Sequence, residues 1–318
     1  MRTKVSAQSR KAGIFSSFVK NKALYAMLAP GLVMMLLFNY LPMFGLVLAF
    51  KKINFRQSVF LSPWNGLDNF RFMTQSESLF LAIRNTLLYN MVFIFAGMLM
   101  AIALAILLDL VRQKMAKKLY QTVMIMPHFL SWVIISYLVF GFLSLETGIL
   151  NNSILPLMGI GEINWYQDAS KWPAILIICY FWKDWGYSSI IYSSALTGVD
   201  TALYEAADID GATMWQKIIN ITIPTIRPLI AMMLVLKMGN ILSTDMGLFY
   251  QVPLNTPQLY SATNVVSTFT YNLMRESGAS SMGMASAASL VQSVIGFILV
   301  ISSNKIVAKI NDDGKGAL

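Results

Sequence analysis

Charge is scarce in this chain. Of its 318 residues only 12% are Asp, Glu, Lys or Arg, about half the share of a soluble domain. Hydrophobic residues make up 56%, too many for a soluble fold of this length to bury. The composition therefore reads as an integral membrane protein. Cysteine occurs once, as Cys179, which excludes an internal disulfide framework. Histidine also occurs once, as His128, and with one cysteine this excludes the usual His/Cys zinc site, so no metal centre is expected. Catalytic signatures are missing as well. There is no GxxxxGK[ST] phosphate loop, because Gly314-Lys315-Gly316 lacks both the spacing and a preceding strand. There is no HExxH, no GxSxG and no pocketed carboxylate dyad. The chain reads as non-enzymatic, with no cofactor of its own. The net charge of +9 does not point to nucleic acid, because the basic residues gather at the borders of apolar runs.

Long apolar runs are what the sequence does have. Crossing a bilayer takes about 20 residues of helix, and six runs satisfy this: roughly 23–50, 85–108, 122–145, 172–199, 226–248 and 283–306. The first follows a basic leader but is too long for the apolar core of a signal peptide, and it reads as a retained span. The expected architecture is all-α, with six transmembrane helices over residues 23–306. Residues 1–22 form a basic N-terminal tail and 307–318 a C-terminal tail. Arg2, Lys4, Arg10, Lys11, Lys20 and Lys22 precede the first run. Arg112, Lys114, Lys117 and Lys118 follow the second, and Lys305, Lys309 and Lys315 follow the last. The positive-inside rule places these segments, and both termini, in the cytoplasm. Lys51, Lys52, Arg56 and Arg71 in the first outer loop weaken that asymmetry without reversing it.

The same orientation puts residues 200–225 in the cytoplasm, with four carboxylates from Asp200 to Asp210 and one lysine, Lys217. Asp200 is a good N-cap for a short helix over Thr201–Asp208, and Gly211 suits its left-handed end. A second short helix is expected from Ala212 to Asn220, stopped by Pro224. Two helices of this length are unstable alone and must dock on something. Ala206, Ala207, Gly211 and Ala212 offer a small face, and Leu203, Trp215 and Ile218 offer apolar anchors. Interfacial helices on a bilayer usually carry Lys/Arg on their polar face. This one carries Glu205, Asp208 and Asp210, so protein docking is favoured and the membrane-surface reading stays open.

Glu205-Ala206-Ala207, with Asp210-Gly211-Ala212 and then Ile223-Pro224, resembles the EAA loop of binding-protein-dependent ABC importer permeases. Ile223 stands where that family usually has Leu. The resemblance continues through Ala29-Pro30-Gly31, Phe38-Asn39-Tyr40-Leu41-Pro42, Ser62-Pro63-Trp64, Gly66-Leu67-Asp68-Asn69-Phe70, Arg84-Asn85-Thr86-Leu87-Leu88 and Pro127-His128-Phe129-Leu130-Ser131-Trp132. These strings are similar to the subgroup that imports oligosaccharides and polysaccharide fragments. The resemblance implies a type I fold in the cell membrane whose EAA loop is a coupling helix seated in a groove of the ATPase. It further implies an ABC ATPase dimer that uses the ATP, a second homologous permease, an extracytoplasmic solute-binding protein and a carbohydrate substrate. The coupling residues it implies are Glu205, Ala206, Ala207, Asp210, Gly211 and Ala212. A permease for another solute, such as a peptide, is the alternative within transport. A membrane sensor or scaffold docking a signalling partner is the alternative outside it.

Charges inside a span cost on the order of 2.5–3.5 kcal/mol each on insertion scales and usually have a reason. Lys183 and Asp184 fall in the fourth run and Lys237 in the fifth, at depths that suggest pairing of Asp184 with Lys237. A structural ion pair, the lining of a substrate path and lipid-facing snorkelling are all open readings. An unpaired Lys183 would favour an acidic sugar such as a uronate oligomer. Trp182 and Trp185 sit mid-span, where they can stack on sugar rings or simply pack. Gly239 to Gly247 predicts a broken helix, and Asn240, Ser243 and Asp245 can bond sugar hydroxyls or pack on a partner. Gly283, Ser286 and Ala287 read as helix packing, and His128 as a hydrogen-bonded structural residue rather than a pH switch.

Overall fold

In the computed structural model, residues 21–54, 56, 58–276 and 278–310 are described. The N-terminal tail up to residue 20 and residues 311–318 lie outside them. Regular structure among the described residues is helical, apart from one isolated antiparallel bridge between Lys51 and Trp64.

Helix α1 spans Lys22–Met35 and continues through a π turn, Leu36–Tyr40, and a 3-10 segment, Leu41–Phe50. Pro42 explains the change of geometry. Its ring would strike the carbonyl four residues back in a regular α-helix, and the wider turn just before it makes room. Most of α1 is exposed, and only its end at Leu41–Phe50 packs on the last helix. A short helix α2, Asp68–Gln75, follows the first loop. Its buried Asn69 donates to the Ala49 and Lys51 carbonyls at 2.9 Å each. Gly283 of the last helix sits against it, and a Cβ there would come within 2.7 Å of Asn69 Nδ2, which is the close packing expected at that position.

Helix α3, Glu77–Asp109, is 33 residues long, capped by Ser76, and begins eight residues before the expected second span. The third expected span is not one straight helix. Helix α4, Lys114–Ile125, runs into a 3-10 turn at Met126–Phe129, and α5, Trp132–Leu143, leaves at 94°. Pro127 supplies no N–H, Leu130 is extended, and Ser131 recaps the chain by accepting from Ile134 N–H at 3.3 Å.

Helix α6, Trp172–Leu196, packs along α3. Helix α7, Thr201–Ile209, leads into α8, Met214–Gly239. The expected fifth span, 226–248, therefore starts earlier as helix and ends at Gly239. Helices α9, Val266–Glu276, and α10, Ala279–Ile310, complete the chain.

Four runs among the described residues are long and apolar enough to cross a membrane: Lys22–Phe50, Glu77–Asp109, Met214–Gly239 and Ser281–Lys305. The bent α4–α5 pair makes a fifth. The protein is thus an all-helical membrane protein with four to five such spans. Helix α6 has the length, 25 residues, but its serines, Lys183 and Asp184 keep it out of that group. Two larger apolar cores hold the bundle, beside a smaller one at Ile94, Ile241 and Leu242. One joins α3, α5 and α6 to residues 248–265 around Trp172, Leu176, Phe93 and Phe249. The other joins α3, α6 and α8 around Ala101, Tyr192 and Ile226.

Candidate coupling segment and transport path

Three local devices build the segment after α6. Asp200 accepts from Ala202 N–H at 3.0 Å and starts α7. Gly211 at φ +74 ends it, a conformation most side chains resist. Thr213 and Gln216 then form a capping box that opens α8. The expected second helix does not run from Ala212 to Asn220 and stop at Pro224. It begins at Met214 and passes through Pro224 into the span. A π turn at Ile218–Thr222 ends one residue before the proline's own neighbour, Ile223, and removes the need for the N–H that proline lacks.

Two side-chain contacts tie α7 to α8. Tyr204 Oη and Thr222 Oγ1 are 2.9 Å apart, and Lys217 pairs with Asp208 at 2.6 Å. The outer surface is left open. Glu205, Ala206, Asp210 and Gly211 are exposed, Ala207 and Ala212 partly so, and Ile209 and Trp215 present 87% and 74% of their surface. The candidate coupling residues therefore form one small-faced, acidic patch with apolar side chains at its edge. Such a surface fits a protein groove better than anionic lipid headgroups.

The second region is the break after α8. Gly239 ends the helix, and the backbone stays irregular until a π turn at Gly247–Gln251. Carbonyls freed in such a break and shielded from water need donors, and α3 supplies them. Asn90 Nδ2 donates to the Ile241 and Ser243 carbonyls at 2.7 and 2.9 Å. Asn85 Nδ2 donates to Ser261 and Asn264 at 3.1 and 3.0 Å. Thr86 accepts from Val266 N–H at 2.9 Å, and Tyr89 donates to the Ala262 carbonyl at 3.0 Å. From α10, Gln292 donates to Leu242 at 2.7 Å. These residues were missed as a site from sequence. The spacing 85, 86, 89 and 90 was the available signal, since it puts four polar side chains on one face of an apolar helix.

The intramembrane charges are placed differently from expectation. Asp184 and Lys237 form no ion pair among the described residues. Asp184 accepts instead from Ser188 one turn on, at 2.7 Å. Lys237 lies in the last turn of α8, where the helix dipole favours a cation. Matching depth fixed neither their facing directions nor where the helix ends. Lys183 is not free either. It donates to the His128 carbonyl at 2.7 Å and to that of Leu130, and lies 5.3 Å from the Trp132 ring centre. It thus caps the elbow between α4 and α5. Trp132 Nε1 in turn donates to Asp245 at 2.5 Å, so Lys183 and Asp245 meet around one indole.

Trp185 stacks on Phe181 at 5.2 Å, whereas Trp182 is 45% exposed. Asn240 and Ser243 are exposed and line a polar groove of about 480 Å³ with Gln292 and Ser293. His128 is held by stacking rather than by the expected hydrogen bond. Its ring lies 4.0 Å from that of Tyr187, and its buried Nδ1 is unpartnered.

The pattern described as binding-protein-dependent transport system inner membrane component matches residues 94–311. The chain belongs to this family. It is a multi-pass permease subunit of the inner membrane, and its work is transport rather than catalysis. Among family relatives, Protein LplB of Bacillus subtilis is 34% identical over 296 residues, 93% of this chain and 91% of that one. The polygalacturonan/rhamnogalacturonan transport system permease protein YteP of the same organism is 31% identical over 307 residues, 96% and 94% of the two chains. The permease fold also matches a chain in the crystal structure of a bacterial ABC transporter that imports the acidic polysaccharide alginate. The TM-score is 0.84 at 34% identity, covering 94% of this chain and 99% of that one. The fold likewise matches a chain in the crystal structure of a bacterial alginate ABC transporter in complex with a periplasmic protein carrying an alginate pentasaccharide, with a TM-score of 0.83 at 34% identity over 95% of this chain and 99% of that one.

Proposed function

We propose that the chain is one half of a permease pair in an ATP-driven importer of acidic oligosaccharides. The observation that carries this reading is the near full-length match to permeases of acidic polysaccharide importers, at 34% and 31% identity. In this reading α6, fourth in chain order, completes the six spans, and both termini face the cytoplasm. An extracytoplasmic binding protein delivers the sugar, and a separate ATPase dimer drives the cycle.

The exposed α7 surface supports the coupling role. Glu205, Ala206, Ala207, Asp210, Gly211 and Ala212 enter the ATPase groove, and the continuous α8 passes its movement into the bilayer. Two features support a second permease. Lys22–Phe50 is almost unburied by its own chain, and the groove at Asn240, Ser243, Gln292 and Ser293 exposes polar groups at membrane depth. Such groups do not face lipid. They face the partner or the path, as do Trp182, Asp184, Lys237 and Asp245. In this reading Lys183 and Trp185 support the path from behind.

The test is to purify the tagged chain from native membranes in mild detergent, identify what accompanies it, and measure uptake after reconstitution. A second permease, an ATPase and ATP-dependent uptake of a uronate oligomer are expected. Uptake confined to a neutral sugar, a polyol phosphate or a peptide would overturn the substrate class. A chain that comes out alone even after crosslinking would overturn the assembly.

A further inference from the structure

A cavity of about 470 Å³ lies between the first half of α3, the start of α6 and the turn at Ser261. That is within the usual range for small-molecule sites, roughly 300–1,000 Å³. One wall is apolar, made by Leu88, Val92, Pro173 and Ile177, and can take the flat face of a sugar ring. Among the described residues Arg84 is the only charged one in its lining. Nearby Lys171 is already paired with Asp168.

The guanidinium of Arg84 is exposed and in no ion pair among the described residues. It is oriented all the same. Its Nη2 donates to Asn85 Oδ1 at 3.3 Å, and the Asn85 amide is fixed by the Ser261 and Asn264 carbonyls. On α6, Pro173, Ile177, Tyr180 and Asp184 follow at spacings of four, three and four. The cavity therefore shares a helical face with Asp184 and lies about two turns outward of it.

We propose that this cavity is a receiving site for one uronate residue of the incoming oligosaccharide, with Arg84 binding its carboxylate. The inference rests on the substrate class proposed above. Two observations point to Arg84. Lys183, which only if unpaired would have favoured an acidic sugar, spends its protons on two backbone carbonyls, so it gives that class no support and is not available to a carboxylate. Asp184 and Asp245 lie deeper and repel a carboxylate. A guanidinium, with its planar pair of donors, fits a carboxylate better than a lysine does.

The test uses the complete transporter in proteoliposomes, with its ATPase, second permease and binding protein, and trigalacturonate as the probe. Arg84→Gln is expected to lower kcat/KM by about tenfold, the loss of one charge-assisted contact. Arg71→Gln in the outer loop is expected to have no effect. Arg84→Cys is expected to recover uptake after reaction with a cationic thiol reagent and not with an anionic one. Buried Cys179 is replaced by Ser in that background.

Unchanged uptake by Arg84→Gln, or equal behaviour of the two thiol adducts, overturns the site and leaves the substrate class standing. Weaker binding of the sugar-free binding protein to Arg84→Gln assigns the residue to a protein interface and also overturns it. Failure of the parent transporter to move trigalacturonate while it moves a neutral trimer removes the substrate class and the site together.

Discussion

The two irregular regions of this permease are held in opposite ways. The break from Gly239 to Val266 follows directly on a span and is secured by at least five side chains from α3 and α10, most of them buried. The turn around α7, outside the bilayer in the proposed topology, is secured by its own caps and two contacts, with most of its surface exposed. In hydrocarbon no water replaces a lost donor, so the fold must supply every one. Outside the hydrocarbon water or a partner can. The first region is therefore a fixed part of the scaffold, and the second, in the coupling role proposed above, is a surface left open for another protein.

The largest effect expected from breaking this contrast is at Gly211. Gly211→Asp should abolish uptake while the chain remains in the membrane, measured by transport and immunoblot side by side. Nothing lies within 4 Å of the position a Cβ would take. Loss of uptake therefore reports on a partner or on the left-handed backbone. Gly211→Asn separates the two, because Asn tolerates that conformation without adding charge. Normal uptake by Gly211→Asp would remove the coupling role of the turn.

Next in size is Asn90→Ala. It leaves two carbonyls without donors, each costing about 1–3 kcal/mol, and the expected drop in Tm is about 4–8 °C, read by tryptophan fluorescence in detergent. A Tm equal to that of the parent would mean that the break does not depend on α3. Tyr204→Phe should act on the other side of the comparison. It removes one hydrogen bond worth about 0.5–1.5 kcal/mol, so amide exchange over residues 201–209 should quicken with no change in Tm. A fall in Tm as large as that of Asn90→Ala would make α7 part of the scaffold.

The smallest effect is expected at Asp168 in the exposed outer loop. Hydrogen bonds from Lys171 and then Ser170 hold its carboxyl at about 2. A depressed carboxylate pKa gives a contribution that is present above the unfolded value near 3.9 and lost only as pH falls through about 2. Amide exchange over residues 165–172 should thus be pH-corrected to the same protection at pH 5 and pH 8. Asp168→Asn should keep the Tm within about 2 °C, as for other exposed pairs.

The legibility of the sequence follows the range of the interactions. Asp200 as a cap, Gly211 as a left-handed end and the disrupted helix after Gly239 were readable because each depends on residues within a turn. Asn85 and Asn90 were not, because their partners lie more than 150 positions away. Pro224 misled for a different reason. A proline removes one N–H, but whether the helix stops depends on whether the preceding turn can widen, and Ile218–Thr222 does. The expected pairing of Asp184 with Lys237 used depth alone. It lacked the azimuth that puts Asp184 beside Ser188 and the helix end that gives Lys237 its own electrostatic reward.

Helix α6 has a consequence for how the protein is made. In the six-span reading it must cross the bilayer although it carries Lys183, Asp184 and a surplus of serines and aromatics. Released alone into lipid, it would bear the full insertion cost of both charges. Its long contact with α3 and the elbow carbonyls that receive Lys183 exist only once residues 77–143 are already in place. The order of synthesis provides this. Earlier spans are available as a polar-lined berth when α6 leaves the ribosome, so defects in α3 or in the elbow should appear first as failed biogenesis, with the chain cleared before it ever meets a substrate.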